Sequence, residues 1–152
     1  MKHEEIPINI LLADDDFDDR GLFSKALEQL PIKTKLTMVN DGEELMSYLY
    51  NNSSQNPDVL FLDLSMPRKT GFECLPEIKE QEKIKDIPII VFSTSYQRDI
   101  IYEQNLISQL SSLGAYHYIR KTTDFSDFKK NICEAITMVI EKKKEEKKID
   151  QQ

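Results

Sequence analysis

Histidine and cysteine are scarce in this chain of 152 residues. His3 and His117 are the only histidines, and neither has a neighbour at a spacing suited to a metal site or a catalytic pair. Cys74 and Cys133 are the only cysteines. Two are too few for a disulfide scaffold, and they stand in no metal-ligand spacing, so both read as reduced, packed side chains. Long hydrophobic runs are missing too. The first apolar run, Ile8 to Ala13, is too short for a membrane span or a secretory core. The expected compartment is therefore the cytoplasm, with no membrane partner. Positive charge is in deficit, with 20 Lys and Arg against 27 Asp and Glu. The net charge of -7 argues against a nucleic-acid binder.

What is present is an ordinary globular composition, 39% hydrophobic and 31% charged, too apolar for a disordered chain. Short β-branched runs at Ile8–Ala13, Leu36–Val39, Val59–Leu62 and Ile89–Phe92 fit strands buried on both faces. Tyr116–Ile119 reads as a fifth strand, whose His117 suits an edge. Tyr116 and Tyr118 alternate along it and face opposite sides. Helical spacings lie between the runs. Leu22, Phe23, Ala26, Leu27 and Leu30 mark a first helix, ended by Pro31. Leu45, Met46, Leu49 and Tyr50 mark a second, after an Asn40-Asp41-Gly42 turn. Leu75, Ile78 and Glu82 mark a third, with Pro76 expected near its first turn. Ile100, Ile101, Leu106, Ile107 and Leu110 mark a fourth, and Phe125, Phe128, Ile132, Ile136 and Ile140 a fifth. The alternation implies a doubly wound α/β domain with a parallel sheet. Three regions result: an N-terminal extension over 1–7, the domain over 8–140, and a charged helix end or tail over 141–152. The tail, EKKKEEKK from Glu141 to Lys148, reads as a solvated helix end. No repeat or second domain is visible.

In such sheets functional groups gather beyond the carboxyl ends of the strands. The first strand ends in Asp14, Asp15 and Asp16, and the third in Asp63. The fourth ends in Ser93, Thr94 and Ser95, and the fifth in Arg120 and Lys121. Aspartates after strands often only cap the next helix, and Asp16, Asp18 and Asp19 suit that role. Capping does not explain acids, a hydroxyl and a lysine on four different strands. Clustered carboxylates repel unless a cation relieves them. Hard oxygen ligands suit Mg²⁺, which also takes substrate phosphate. A carboxylate can attack phosphorus to give an aspartyl phosphate. The charge on the transferring oxygens then needs a metal, a cation and a hydroxyl or amide donor.

These segments strongly resemble the receiver domain of bacterial two-component response regulators. The resemblance runs from about Ile8 to about Ile140 and rests on NILLADDDFDD, PDVLFLDLSMPRKTGFE, IPIIVFSTS and YHYIRK. It implies a (βα)5 flavodoxin-like fold, with a five-stranded parallel sheet of order 2-1-3-4-5 and helices on both faces. It places the phosphoacceptor at Asp63. Asp14 and Asp15 help hold Mg²⁺, with Asp15 the direct ligand and Asp16 the alternative by one residue. Asp63 and the backbone carbonyl of Ser65 complete the protein ligands. Met66, Pro67 and Gly71 match the loop beyond Asp63. Ser93 supplies the hydroxyl, Lys121 pairs with the phosphoryl oxygens, and Tyr118 is the switch aromatic that follows Ser93. Ser65 and Ser95 stand where the family tunes access of water to the phosphoryl group.

The implied activity is that of a stand-alone phosphorylation switch rather than an enzyme. The phosphoryl donor is a sensor histidine kinase or a histidine phosphotransfer protein. The output is an unknown protein partner, through the face of helix four, strand five and helix five, which is also a possible homodimer surface. Two departures stand out. Thr122 replaces the proline, often cis, that commonly follows the lysine, so the loop there is expected to loosen or take another path. The segment from Ser93 to Lys121 is also longer than usual, by about six residues in or near helix four. With the SxS after strand four, both features resemble stand-alone regulators that pair with phytochrome-type kinases. Two alternatives remain. One is a Mg²⁺ phosphohydrolase of the haloacid dehalogenase type using Asp14-x-Asp16, although no acidic pair follows strand four. The other is a degenerate receiver that only binds partners.

Overall fold

The central strands contain almost nothing polar, and that fixes their place. Val59–Asp63 and Ile89–Ser93 are buried at every position, as strands covered on both faces must be. In the computed structural model, which describes residues 6–52, 55–94 and 100–150, strands and helices alternate throughout. The strands are β1 (Ile8–Ala13), β2 (Thr34–Val39), β3 (Val59–Asp63), β4 (Ile89–Ser93) and β5 (His117–Arg120). The helices are α1 (Phe17–Glu28), α2 (Gly42–Asn51), α3 (Gly71–Glu80), α4 (Ile100–Ser112) and α5 (Phe125–Asp150). All pairings are parallel, in the order β2-β1-β3-β4-β5. This is the doubly wound, flavodoxin-like order that the family resemblance implies.

The period of two along each strand divides the core. Leu11, Ala13, Leu60, Leu62, Ile89 and Val91 face α2, α3 and α4 through Leu45, Leu49, Leu75, Ile78 and Leu110. Ile10, Leu12, Val59, Phe61, Ile90 and Phe92 face α1 and α5 through Phe23, Leu27, Phe128, Ile132 and Ile136. Four rings knit the second layer. Phe23 meets Phe61 edge-on at 4.9 Å, and Phe92 stacks on Phe128 at 6.0 Å. Each buried ring contributes about 1.5–3 kcal/mol by removal from water. Tyr116 packs with the second layer and Tyr118 with the first, so the two do face opposite sides.

Helix caps hold the strand ends in register at one rim. Asp16, Asp41 and Thr70 each accept a hydrogen bond from the backbone N–H three residues on, starting α1, α2 and α3. The cap at Thr70 starts α3 earlier than its apolar spacing suggests. Pro76 is therefore the sixth residue of that helix rather than in its first turn, and it cannot donate to the Phe72 carbonyl. Glu82 lies beyond α3, which closes at the cap residue Gln81. Gly71 lets the loop after β3 fold back on its strand: a Cβ there would collide with the Asp63 carbonyl and lie 2.9 Å from Leu64 Cα.

Helix α5 continues past Ile140 through the charged segment to Asp150. Lys143 Nζ bonds Asp58 Oδ1 at 2.8 Å, and Lys142 Nζ lies 4.6 Å from the Tyr116 ring centroid. No helix among the described residues is long and apolar enough to cross a membrane.

Candidate functional site

The strand order puts Asp14 (after β1), Asp63 (end of β3), Ser93 (end of β4) and Lys121 (after β5) along one rim of the sheet. The carboxylate oxygens of Asp14, Asp15 and Asp63 lie within 4.8 Å of one another. Asp14 and Asp63 are buried, and Asp15 is exposed. Asp14 Oδ1 accepts from Asp16 N–H at 2.9 Å, and Asp63 Oδ1 from Ser65 N–H at 3.3 Å. Asp16 spends its own side chain on capping α1 through the Asp19 N–H. The acidic group therefore forms from Asp14, Asp15 and Asp63, without Asp16.

Lys121 is the cation of the site. Its Nζ donates to Asp14 Oδ2 at 2.9 Å and to Asp19 Oδ2 at 2.9 Å, and stands 3.5 Å from Asp63 Oδ2. It also lies 4.5 Å from the centroid of the Phe92 ring. The Lys121 N–H donates to the Ser93 carbonyl at 2.9 Å, which ties the end of β5 to that of β4. Among the described residues the Ser93 hydroxyl donates to the Thr94 carbonyl at a long 3.4 Å. Ser95 lies outside the described residues, as does His3.

Burial and mutual repulsion bear on the carboxylates of the site. Burial, opposed by Lys121 and reinforced by Asp14, pushes the Asp63 carboxyl up to about 7. Burial also raises Asp14. Burial by itself would weaken the hold of Lys121 on its proton, but the Asp63, Asp14 and Asp19 carboxylates more than offset this and raise it. Three oxygen donors, two of them buried, with no nitrogen or sulfur ligand, fit a hard divalent metal ion. Cys74 plays no part: burial pushes its thiol up to about 12, and it donates to the Gly42 carbonyl. Both cysteines are free thiols.

Two features around the rim bear on the expectations. Without the family's proline, the loop after β5 is expected to loosen or take another path. Here Thr122 Oγ1 donates to the Asp124 carbonyl at 3.1 Å, and Asp124 Oδ1 accepts from Asp127 N–H at 3.1 Å. The loop is short because Asp124 starts α5 itself. Asp19 is the second. It belongs to the lysine rather than to the helix cap, since Asp16 already fills that role. Sequence reasoning also missed Arg20, which donates to the Asp14 carbonyl at 2.9 Å, and Phe92 beneath Lys121. The helical spacing of Asp16, Asp19 and Arg20 toward the strand ends was the available signal for the first two.

Tyr118 lies on β5 against the α4 side, with its hydroxyl buried. That oxygen is the only buried side-chain polar atom among the described residues without a hydrogen-bond partner. Nearby, Arg120 pairs with Glu103 of α4 at 3.6 Å.

A doubly wound sheet with an acidic group and a lysine at its carboxyl rim defines a phosphoryl-handling α/β protein. Residues 10–133 match the response regulator receiver domain, and the chain belongs to that family. It is 37% identical over 98 residues to Response regulator Rcp1 of Synechocystis sp., an alignment covering 61% of this chain and 66% of that protein. Its fold resembles the crystal structure of the phosphorylated cyanobacterial phytochrome response regulator RcpA, with a TM-score of 0.72 and 30% identity. That match covers 86% of this chain and 91% of RcpA. The Mn²⁺-bound form of Rcp1 matches with a TM-score of 0.71 and 29% identity, over 84% of this chain and 90% of the other. The family's members generally act in signalling.

Proposed function

We propose that Asp63 accepts a phosphoryl group and that the chain works as a phosphorylation switch. The observation that carries this is the setting of Asp63: a buried carboxylate at a strand end, beside two further acids and facing a lysine ammonium. We assign the metal as Mg²⁺, with Asp14, Asp15, Asp63 and the Ser65 backbone carbonyl as its protein ligands. When bound it neutralises charge on the transferring phosphoryl oxygens. An Asp63 carboxylate oxygen attacks the phosphorus of a phosphohistidine as the P–N bond breaks, and the donor's imidazole leaves and takes up a proton. Lys121 then offers the phosphoryl group the donor that faces Asp63, and the Ser93 hydroxyl turns toward it. Tyr118 follows Ser93, and the face of α4, β5 and α5 changes its affinity for partners.

The phosphoryl donor is a sensor histidine kinase or a histidine phosphotransfer protein. Likeness to RcpA and Rcp1 supports a phytochrome-type kinase as that donor. The receiver of the signal is a protein, or a second copy through the α4-β5-α5 face, within the cytoplasm. Turnover as a phosphohydrolase through Asp14 and Asp16 is disfavoured, because the Asp16 carboxylate is committed to capping α1.

Incubation with a small phosphodonor and Mg²⁺, followed by intact mass, tests the assignment. One added phosphoryl group is expected in the wild type and none in Asp63→Asn. No added mass from either a small donor or a cognate kinase would leave a module that only binds partners. Multiple turnover of phosphomonoesters surviving Asp63→Asn would make it a hydrolase.

A further inference from the structure

Asp19 stands outside the acidic group that fits a metal, yet it holds Lys121 as closely as Asp14 does, at 2.9 Å. Asp63 is farther from the ammonium, at 3.5 Å. An ammonium has three N–H donors. Two are bonded to Asp14 and Asp19, and Asp63 receives only the longer approach. The Nζ rests 4.5 Å from the Phe92 ring centroid, and that ring is fully buried. The ammonium thus lies between the α1 side, at Asp19, and the β3 side, at Asp63. The backbone of Asp19 is fixed by its own N–H, which bonds the Asp16 cap. Its carboxylate is partly exposed, which weakens but does not remove its pull.

We propose that Asp19 is a positioning residue that holds Lys121 back from Asp63, so that a phosphoryl group on Asp63 must win the ammonium from α1. This rests on the reading of Asp63 as phosphoacceptor. The hold works by competition: whatever Lys121 gains at the phosphoryl oxygens is reduced by the charge-assisted bond it gives up at Asp19. Removing the Asp19 charge removes the competitor. It also lowers repulsion toward a dianionic group, and the two effects act in the same direction. Asp19 thereby sets how readily the phosphorylated state is reached and held, without itself touching the phosphoryl group.

The experiment uses beryllofluoride, a tetrahedral mimic of a phosphoryl group, titrated into the full chain at saturating Mg²⁺ and followed by calorimetry. Mg²⁺ saturation is checked separately for each variant. Asp19→Asn is expected to bind the mimic about tenfold more tightly than wild type, the scale of one charge-assisted hydrogen bond. Asp19→Ser is to show the same gain, and Asp19→Glu is to return near the wild-type value. In a Lys121→Met background the gain from Asp19→Asn should fall to within about twofold, since the lysine mediates it. Unchanged or weaker binding in both Asp19→Asn and Asp19→Ser would overturn the proposal. So would an equal gain without Lys121, which would reveal simple charge repulsion. A wild type that neither binds the mimic nor takes up phosphoryl overturns the reading of Asp63 and this proposal with it. Wild-type binding matched by Asp19→Asn overturns the role of Asp19 alone.

Discussion

Lys121 Nζ stands 3.5 Å from Asp63 Oδ2, yet the Asp63 carboxyl still sits up at about 7. Burial of the acid outweighs its nearest cation, and the neighbouring Asp14 carboxylate adds to the rise. On the proposed reading of Asp63 as a metal ligand, its proton competes with the divalent ion below about pH 7. Affinity for Mg²⁺ should rise with pH and level off above about 7. Below that it should fall by about tenfold per pH unit, as one proton competes for Asp63. Titration of Mg²⁺ at several pH values, read by calorimetry, checks this. A flat profile between pH 6 and 8 would contradict it.

The same shift bears on stability. The folded state keeps the Asp63 proton to higher pH than the unfolded chain, whose aspartate ionises near 4. Stability of the metal-free protein should thus decline as pH rises from about 4 to 7, by a few kcal/mol at most. Asp63→Asn should flatten that decline and be the more stable protein at pH 7.5. Urea unfolding in the presence of a chelator measures both.

Gly71 carries no side chain where the loop after β3 returns to Asp63. Gly71→Ala should cost about 1–3 kcal/mol, through forced displacement of the backbone at Asp63 and Leu64. Weakened Mg²⁺ binding should accompany it, since the loop carries Ser65. A stable variant with unaltered metal affinity would show that the loop can shift freely.

Among the described residues the buried Tyr118 hydroxyl has no hydrogen-bond partner. Tyr118→Phe removes a polar atom that gains nothing from the fold, so it should stabilise the unphosphorylated protein by about 1 kcal/mol. Chemical denaturation with and without a phosphoryl mimic makes the comparison. Destabilisation by Tyr118→Phe would mean that the hydroxyl is hydrogen-bonded in solution.

Asp58 joins two ends of the chain. Its side chain accepts from Asn9 N–H and from Lys143 Nζ, both at 2.8 Å. Lys143→Ala should cost under about 1 kcal/mol, as partly exposed ion pairs do. Asp58→Ala should cost more, about 1–3 kcal/mol, because it also strips the acceptor from the start of β1. A double-mutant cycle separates the two contributions.

Much of this architecture was legible in the sequence, for a physical reason. A strand buried on both faces must be apolar along its length, and VLFL and IIVF are, with the polar Asp63 and Ser93 only at the ends. The edges were harder to place. β2 begins at Thr34 rather than Leu36, since an edge strand tolerates polar residues such as Lys35. β5 begins one residue late, because Tyr116 bonds Ile89 only at the strand entrance. The acids, hydroxyl and lysine at the rim follow from strand order, so they could be grouped without coordinates. The partner of Asp19 could not. Lys121 is 102 residues away, and nothing local to Asp19 distinguishes a cap from a long-range pair. The charged segment after Ile140 reads as a solvated helix end, and α5 runs through it to Asp150, although it lacks the apolar period that marks the rest.

Helix α5 is a lever arm. Its 26 residues extend for about 39 Å, more than twice the length of the strands beside it. It begins beside the loop that carries Lys121 and is pinned at Lys143 to the opposite end of the sheet. For each degree that the whole helix tilts about its first turn, its far end sweeps about 0.7 Å. A reorientation too small to disturb the packing of Phe128 or Ile132 would therefore reach Asp150 as a displacement that a neighbouring molecule could feel.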